Sequence, residues 1–158
     1  MKILFYYRGS EQLGLEALSG ILKERGHQVG LLFDPGADNV FYFKLPFLKY
    51  LRVEDRLVKQ AMEFAPDIVV FSCLTNLYPY VKSIAKRLKK HLKVPFVIGG
   101  VHPSTVPEKI FEDEIFDYLC IGEGDYAFLD LVQALERGED TSSIKNIDAK
   151  IDGKVYKN

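Results

Sequence analysis

Five short apolar runs, each stopping at glycine or small polar residues and separated by helix-patterned segments, constrain this chain more than any other feature. The runs cover residues 3–7, 28–33, 68–71, 96–98 and 116–121. Continuous apolar runs, unlike alternating ones, mark strands buried on both faces, the condition of a parallel sheet. Between them, apolar residues recur at helical spacing: Leu15, Leu18, Ile21 and Leu22 in 11–25, and Val53, Leu57, Val58 and Ala61 in 53–64. The same pattern continues with Val81, Ile84, Ala85 and Leu88 in 80–91, and with Leu131, Val132 and Leu135 in 126–137. A short helix is expected at 107–112. Strands alternating with helices imply right-handed crossovers with helices on both faces. The expected fold is therefore α/β: a doubly wound, five-stranded parallel sheet of the flavodoxin-like type, order 2-1-3-4-5. After it, Ile151-Asp152-Gly153-Lys154-Val155 reads as a hairpin tail turning at Asp-Gly. The expected division is a domain at 1–140 and a linker with hairpin at 141–158, leading to a further domain.

Ligands of such sheets lie at the carboxyl ends of the strands, and there this sequence gathers its glycines and hydroxyls. Strand four ends at Gly99-Gly100 and strand five at Gly122-Glu123-Gly124, with His102, Ser104 and Thr105 between them. Strand three ends at Ser72-Cys73-Leu74-Thr75-Asn76, strand one at Arg8-Gly9-Ser10. A glycine past a strand end lets backbone approach a ligand where a Cβ would collide. Each glycine alone is equally explained by a tight turn, and each hydroxyl by a local cap. The pair of glycine rims together points to a binding site.

With 47% apolar residues over 158 positions, one domain with a sizeable core is expected. A net charge of −1 speaks against nucleic acid or an anionic membrane as partner. The lysines between Lys82 and Lys93 read as a solvated helix face. Met1-Lys2 runs straight into a strand, so no signal peptide is expected, and no apolar stretch approaches the ~20 residues of a membrane span. Cys73 and Cys120 fall in buried runs, which fits reduced thiols in the cytoplasm; two cysteines cannot build an iron–sulfur or structural zinc site. His27, next to a helix end, is expected at the surface. The aromatic segment 40–50 (VFYFKLPFLKY) is too long for a simple loop, and reads as a lid, an edge cover or a partner surface, or as core packing.

Once the Ser72 turn, the Gly99-Gly100 pair and Gly122-Glu123-Gly124 are placed, the chain resembles the N-terminal cobalamin-binding domain of B12-dependent radical S-adenosylmethionine enzymes. The resemblance covers nearly the whole chain and is most specific over 99–132 (GGVHPSTVPEKIFEDEIFDYLCIGEGDYAFLDLV). Cobalamin domains that place a histidine on cobalt carry Asp-x-His-x-x-Gly, then Ser-x-Leu, then Gly-Gly. Ser72-Cys73-Leu74 and Gly99-Gly100 match; the first element does not. With its last glycine on Gly14, Gly9 stands for the aspartate and Glu11 for the histidine. The resemblance thus implies base-off cobalamin without a histidine axial ligand. Gly99 and Gly100 would leave room for the nucleotide tail, and Ser72 and Thr75 would offer it hydroxyls. Val101 would pack on the cofactor and His102 would hydrogen-bond at the rim. The loop of Gly9, Ser10, Glu11, Gln12, Leu13 and Gly14 would pass under the corrin, with Cys73, Leu74, Gly122, Glu123 and Gly124 completing the edge. The iron–sulfur cluster and S-adenosylmethionine would belong to a second domain, since no Cys-x-x-x-Cys-x-x-Cys occurs here. By this reading the chain holds the cofactor, and the parent enzyme, of methyltransferase type, does the chemistry.

Two other classes compete. A flavodoxin-type FMN electron carrier needs a hydroxyl-rich phosphate loop after strand one, where this chain has Arg8-Gly9-Ser10-Glu11. A receiver domain needs acids after strand one and an aspartate after strand three; Tyr6-Tyr7 and Ser72-Cys73 stand there instead. A degenerate docking domain that keeps the fold and binds no cobalamin is the remaining alternative.

Overall fold

The computed structural model describes residues 1–9, 13–36 and 53–158. Strand β1 (Lys2–Arg8) leads to helix α1 (Leu13–Glu24) and β2 (Gln28–Asp34). Helix α2 (Val53–Phe64) and β3 (Ile68–Ser72) follow, then a 3-10 turn at Thr75–Leu77 and α3 (Tyr78–His91). Next come β4 (Phe96–Gly99), two short helices α4 (Val101–Thr105) and α5 (Pro107–Glu112), and β5 (Tyr118–Cys120). Helix α6 (Asp125–Arg137) and strands β6 (Ile147–Ile151) and β7 (Lys154–Tyr156) complete the order. Helix α3 begins earlier than its apolar spacing suggests because Pro79 is tolerated in a first turn. Helix α4 lies in a stretch whose sequence offers no helical periodicity.

The strands form one sheet in the order β2-β1-β3-β4-β5-β6-β7. The first five are parallel and reproduce the expected 2-1-3-4-5 arrangement. The tail departs from expectation. Instead of a detached hairpin beyond a five-stranded sheet, β6 pairs antiparallel with β5 and β7 with β6. The reason is burial: Ile147 and Ala149 are fully buried beside Tyr118 and Cys120, so the β5 edge is covered rather than left open. Asp152 and Gly153 both take positive φ (49° and 79°), as a two-residue hairpin turn requires.

Strand alternation splits the core in two. Leu4, Tyr6, Val69, Phe71, Phe96 and Ile98 face α2, α3 and α5. Ile3, Phe5, Val70, Val97 and Tyr118 face α1 and α6. The lysine-rich helix face is solvated, with Lys86 and Lys90 exposed, and is also ion-paired: Lys82 with Asp113, Arg87 with Glu54 and Asp55, and Lys89 with Asp117. Nor is His27 at the surface. It is buried, with Nδ1 3.2 Å from the Met1 amine, because the turn after α1 folds it beneath β1. Among the described residues no helix is long and apolar enough to cross a membrane.

The C-terminal ends of β1 and β2 are joined by a buried polar hub. Asp34 Oδ2 accepts from Arg8 (2.6 Å) and from the Tyr6 hydroxyl (3.1 Å), while Oδ1 accepts from the Gly36 amide (2.9 Å). The Asp34 carbonyl accepts from the Gly9 amide at 3.0 Å, and the Arg8 guanidinium lies 4.0 Å from the Tyr80 ring centre. Burial, then the charge of Asp34, pushes the Tyr6 phenol well above its ordinary pKa. Removing one member of a buried ion pair leaves a desolvated charge. Asp34→Ala is therefore expected to cost about 3–5 kcal/mol in urea unfolding, whereas Glu63→Ala, which removes an exposed partner of Lys59, should change stability by less than about 0.5 kcal/mol.

Candidate functional site

Among the described residues, the connections after β1, β3, β4 and β5 each present an exposed apolar side chain at the carboxyl edge of the parallel strands. Leu13 at the start of α1, Leu74 after β3, Val101 at the start of α4 and Tyr126 in the first turn of α6 are 79%, 44%, 58% and 82% exposed. Half of the large exposed apolar side chains of the described residues sit on this edge. Concentrated exposure of that kind marks a binding surface, whereas scattered exposure does not.

Beneath the rim the turns after β3 and β4 are locked together by backbone. The Cys73 amide donates to the Gly99 carbonyl (2.9 Å), and the Cys73 carbonyl accepts from the His102 amide (3.2 Å). A Cβ on Gly100 would lie 2.9 Å from the Cys73 carbonyl oxygen, and Gly100 has φ +102°. The glycine at 100 is thus required by the protein's own backbone; the space beside it is filled by Cys73 rather than open for a nucleotide tail. Ser104 ties in the next turn: its hydroxyl donates to the Gly100 carbonyl (3.0 Å) and accepts from the Gly122 amide (2.9 Å).

His102 is also committed internally. It is buried, with Nδ1 3.3 Å from Thr75 Oγ1 and its ring 4.4 Å from that of Tyr78. Tyr78 in turn donates to Asp113, which also accepts from Lys82. Burial holds the imidazole pKa below its ordinary value and pushes the Tyr78 phenol up. Burial also works to raise the Asp113 pKa, but the hydrogen bonds from Lys82 and Tyr78 outweigh it and the net shift is downward. The rim hydrogen bond expected of His102, and the free hydroxyl expected of Thr75, are spent on each other.

On the face covered by α1 and α6, small side chains line the tops of the central strands. Ser72 pairs in register with Gly99, a Cβ on Gly99 would meet Cys120 Cβ at 3.4 Å, and one on Gly124 would meet Cys120 Sγ at 3.3 Å and Leu18 at 3.9 Å. Gly9 and Gly122, by contrast, face open space. Beside this row a cavity of about 650 Å³ runs between α1 and strands β1 and β2, from Phe5, Tyr7, Leu31 and Phe33 on the sheet to Glu16, Ser19 and Lys23 on the helix.

The structure therefore brings together Gly9, Leu13, Gly14, Ser72, Cys73, Leu74, Thr75, Gly99, Gly100, Val101, His102, Gly122, Glu123 and Gly124 along one edge. Ser10, Glu11, Gln12 and the aromatic segment 40–50 lie outside the described residues. The sequence reading missed Tyr126 as a rim residue; its position two past Gly124 at a helix start is the signal that places it there. It also missed the bridging role of Ser104 and the pairing of Arg8 with Asp34.

The B12 binding domain model matches residues 9–132. The chain belongs to the B12-binding domain family. Two curated methyltransferases are similar to this B12-binding domain. Cytidylyl-2-hydroxyethylphosphonate methyltransferase of Streptomyces wedmorensis is 32% identical over 127 residues, which cover 74% of the chain and 23% of the relative. An uncharacterized methyltransferase of Pyrococcus horikoshii is 28% identical over 145 residues, 90% of the chain and 28% of the relative. Among solved structures, the radical S-adenosylmethionine methyltransferase TsrM from Kitasatospora setae superposes with a TM-score of 0.77 at 17% identity, over 98% of the chain and 29% of that protein. The cobalamin-dependent S-adenosylmethionine radical enzyme OxsB, with aqua-cobalamin and S-adenosylmethionine bound, gives 0.77 at 21% identity, over 99% and 22%. The B12-binding domain spans about a quarter of the length of these proteins.

Two measurements test the site's chemistry. Burial pushes the Cys73 thiol up to about 12 and the Cys120 thiol up to about 11, so neither should react with iodoacetamide at pH 8 in the folded chain, and both should in urea. The His102 pKa is depressed in the folded state, so the unfolded chain binds the proton first. Stability should fall as pH drops through about 6.5, and His102→Gln should flatten that part of the profile.

Proposed function

We propose that this B12-binding domain holds cobalamin at the carboxyl edge of its parallel strands, base-off and without a histidine on cobalt, as one module of a larger radical S-adenosylmethionine enzyme. The observation that carries the reading is the apolar rim of Leu13, Leu74, Val101 and Tyr126 above the small-residue row of Ser72, Gly99, Cys120 and Gly124. A wide, flat corrin suits the first, and a narrow nucleotide tail suits the second. The backbone bonds of Cys73 with Gly99 and His102, and the Ser104 hydroxyl accepting from the Gly122 amide, tie the turns of this edge together, so little ordering cost falls on binding. When bound, cobalamin supplies a cobalt centre able to carry a methyl group.

The absence of a histidine ligand rests on residues of this chain. In the sequence Glu11 holds the motif position of the histidine, and carboxylate oxygen is the poorer match for the metal. His27 and His91 lie at the opposite edge of the sheet, and His102 is held by Thr75 and Tyr78. The parent enzyme in this proposal is a cytoplasmic methyltransferase whose radical domain lies beyond the sheet-joined strands β6 and β7; the quarter-length coverage of the methyltransferase relatives supports a longer parent.

The test is retention of hydroxocobalamin through gel filtration, read from its absorption spectrum, with stoichiometric retention expected. Leu74→Asp and Val101→Asp should each weaken binding at least about tenfold by placing a charge on the apolar floor, with the fold unchanged. Failure of the wild-type chain to retain cofactor would leave the docking-domain alternative. Electron paramagnetic resonance of the Co(II) state should show no superhyperfine splitting from an axial nitrogen; such splitting would overturn the ligation proposal.

A further inference from the structure

Resting on the cobalamin reading, we infer that Ser104 is a positioning residue, whose hydroxyl sets the separation of the two glycine turns that frame the cofactor edge. The β4–β5 ladder runs through Val97↔Tyr118 and Ile98↔Leu119, and there it stops. Past that point the two chains enter separate turns, and Ser104 rejoins them by donating to the Gly100 carbonyl and accepting from the Gly122 amide. The first bond alone would be an ordinary serine-to-backbone contact within one helical turn. The second reaches 18 residues along the chain and gives the hydroxyl a cross-turn role. One hydroxyl proton and one lone pair are thereby assigned, so the side chain is fixed in a single rotation.

Helix α4 is consequently held on two sides, by the His102 ring against Tyr78 and by Ser104 against Gly122, which leaves Val101 aimed outward at the rim. Gly122 is exposed, so water can replace the lost partner. Removing the hydroxyl therefore costs little stability but lets the two turns drift apart, and the effect falls on binding.

The experiment titrates the 158-residue chain, Ser104→Ala and Ser104→Thr with hydroxocobalamin and measures urea unfolding of each. Ser104→Ala is expected to raise Kd about tenfold with a urea midpoint close to wild type, and Ser104→Thr to restore binding. Amide exchange at Gly122 should quicken in Ser104→Ala before any ligand is added. An alanine variant that binds as tightly as wild type, or more tightly because the freed Gly122 amide reaches the ligand, overturns the inference. A threonine variant as weak as alanine also overturns it. The wild-type titration reports separately on the cobalamin reading: no binding there removes both, whereas normal wild-type binding with an unaffected Ser104→Ala removes only the role of Ser104.

Discussion

The rim of this domain depends on one place where two backbones approach too closely for any side chain to intervene. Gly100 and Cys73 meet with room for a hydrogen and not for a methyl group. From that contact the rest of the edge follows. Cys73 exchanges hydrogen bonds with both Gly99 and His102, α4 starts at a defined angle, and Ser104 is carried to Gly122. A glycine is usually read as freedom; here it serves as a clamp, because its left-handed conformation and its missing side chain are both needed at once.

The two faces of the sheet are built by different physics. On the α2, α3 and α5 side, charged and aromatic groups reach across elements: Arg8, Asp34, Tyr6 and Tyr80 form one assembly, and Lys82, Asp113, Tyr78, His102 and Thr75 another. Buried polar sets of this kind specify one arrangement when every member is satisfied. On the α1 and α6 side the packing is aliphatic and the side chains near the strand ends are small. The face that carries the small-residue row is thus backed, across the sheet, by a hydrogen-bonded polar scaffold.

The parallel sheet and its strand order were legible because unbroken apolar runs and helical spacing are local signals. Gly138 closing α6 and Asp152-Gly153 turning the hairpin were legible for the same reason. What was not legible depends on contacts between distant residues. That 147–156 would join the sheet needed the exposed edge of β5 to be known. That Gly100 faces Cys73, or that Arg8 finds Asp34 26 positions away, cannot be read from either neighbourhood alone. The turns that share one edge were legible from the strand ends, but two side chains expected to face a ligand, His102 and Thr75, face each other.

Helix α1 is anchored far more weakly than its counterpart on the same face. Of its twelve residues only Leu22 is fully buried, with Leu15, Leu18 and Ile21 partly so, while α6 buries Ala127, Phe128, Leu129, Leu131, Val132 and Ala134. A fully buried leucine contributes about 1.5–3 kcal/mol, so α1, with one such residue against six buried ones on α6, is held to the sheet by less burial. The domain therefore carries a built-in gradient of local opening, shallow at α1 and steep at α6, along the very face where its small-residue row lies.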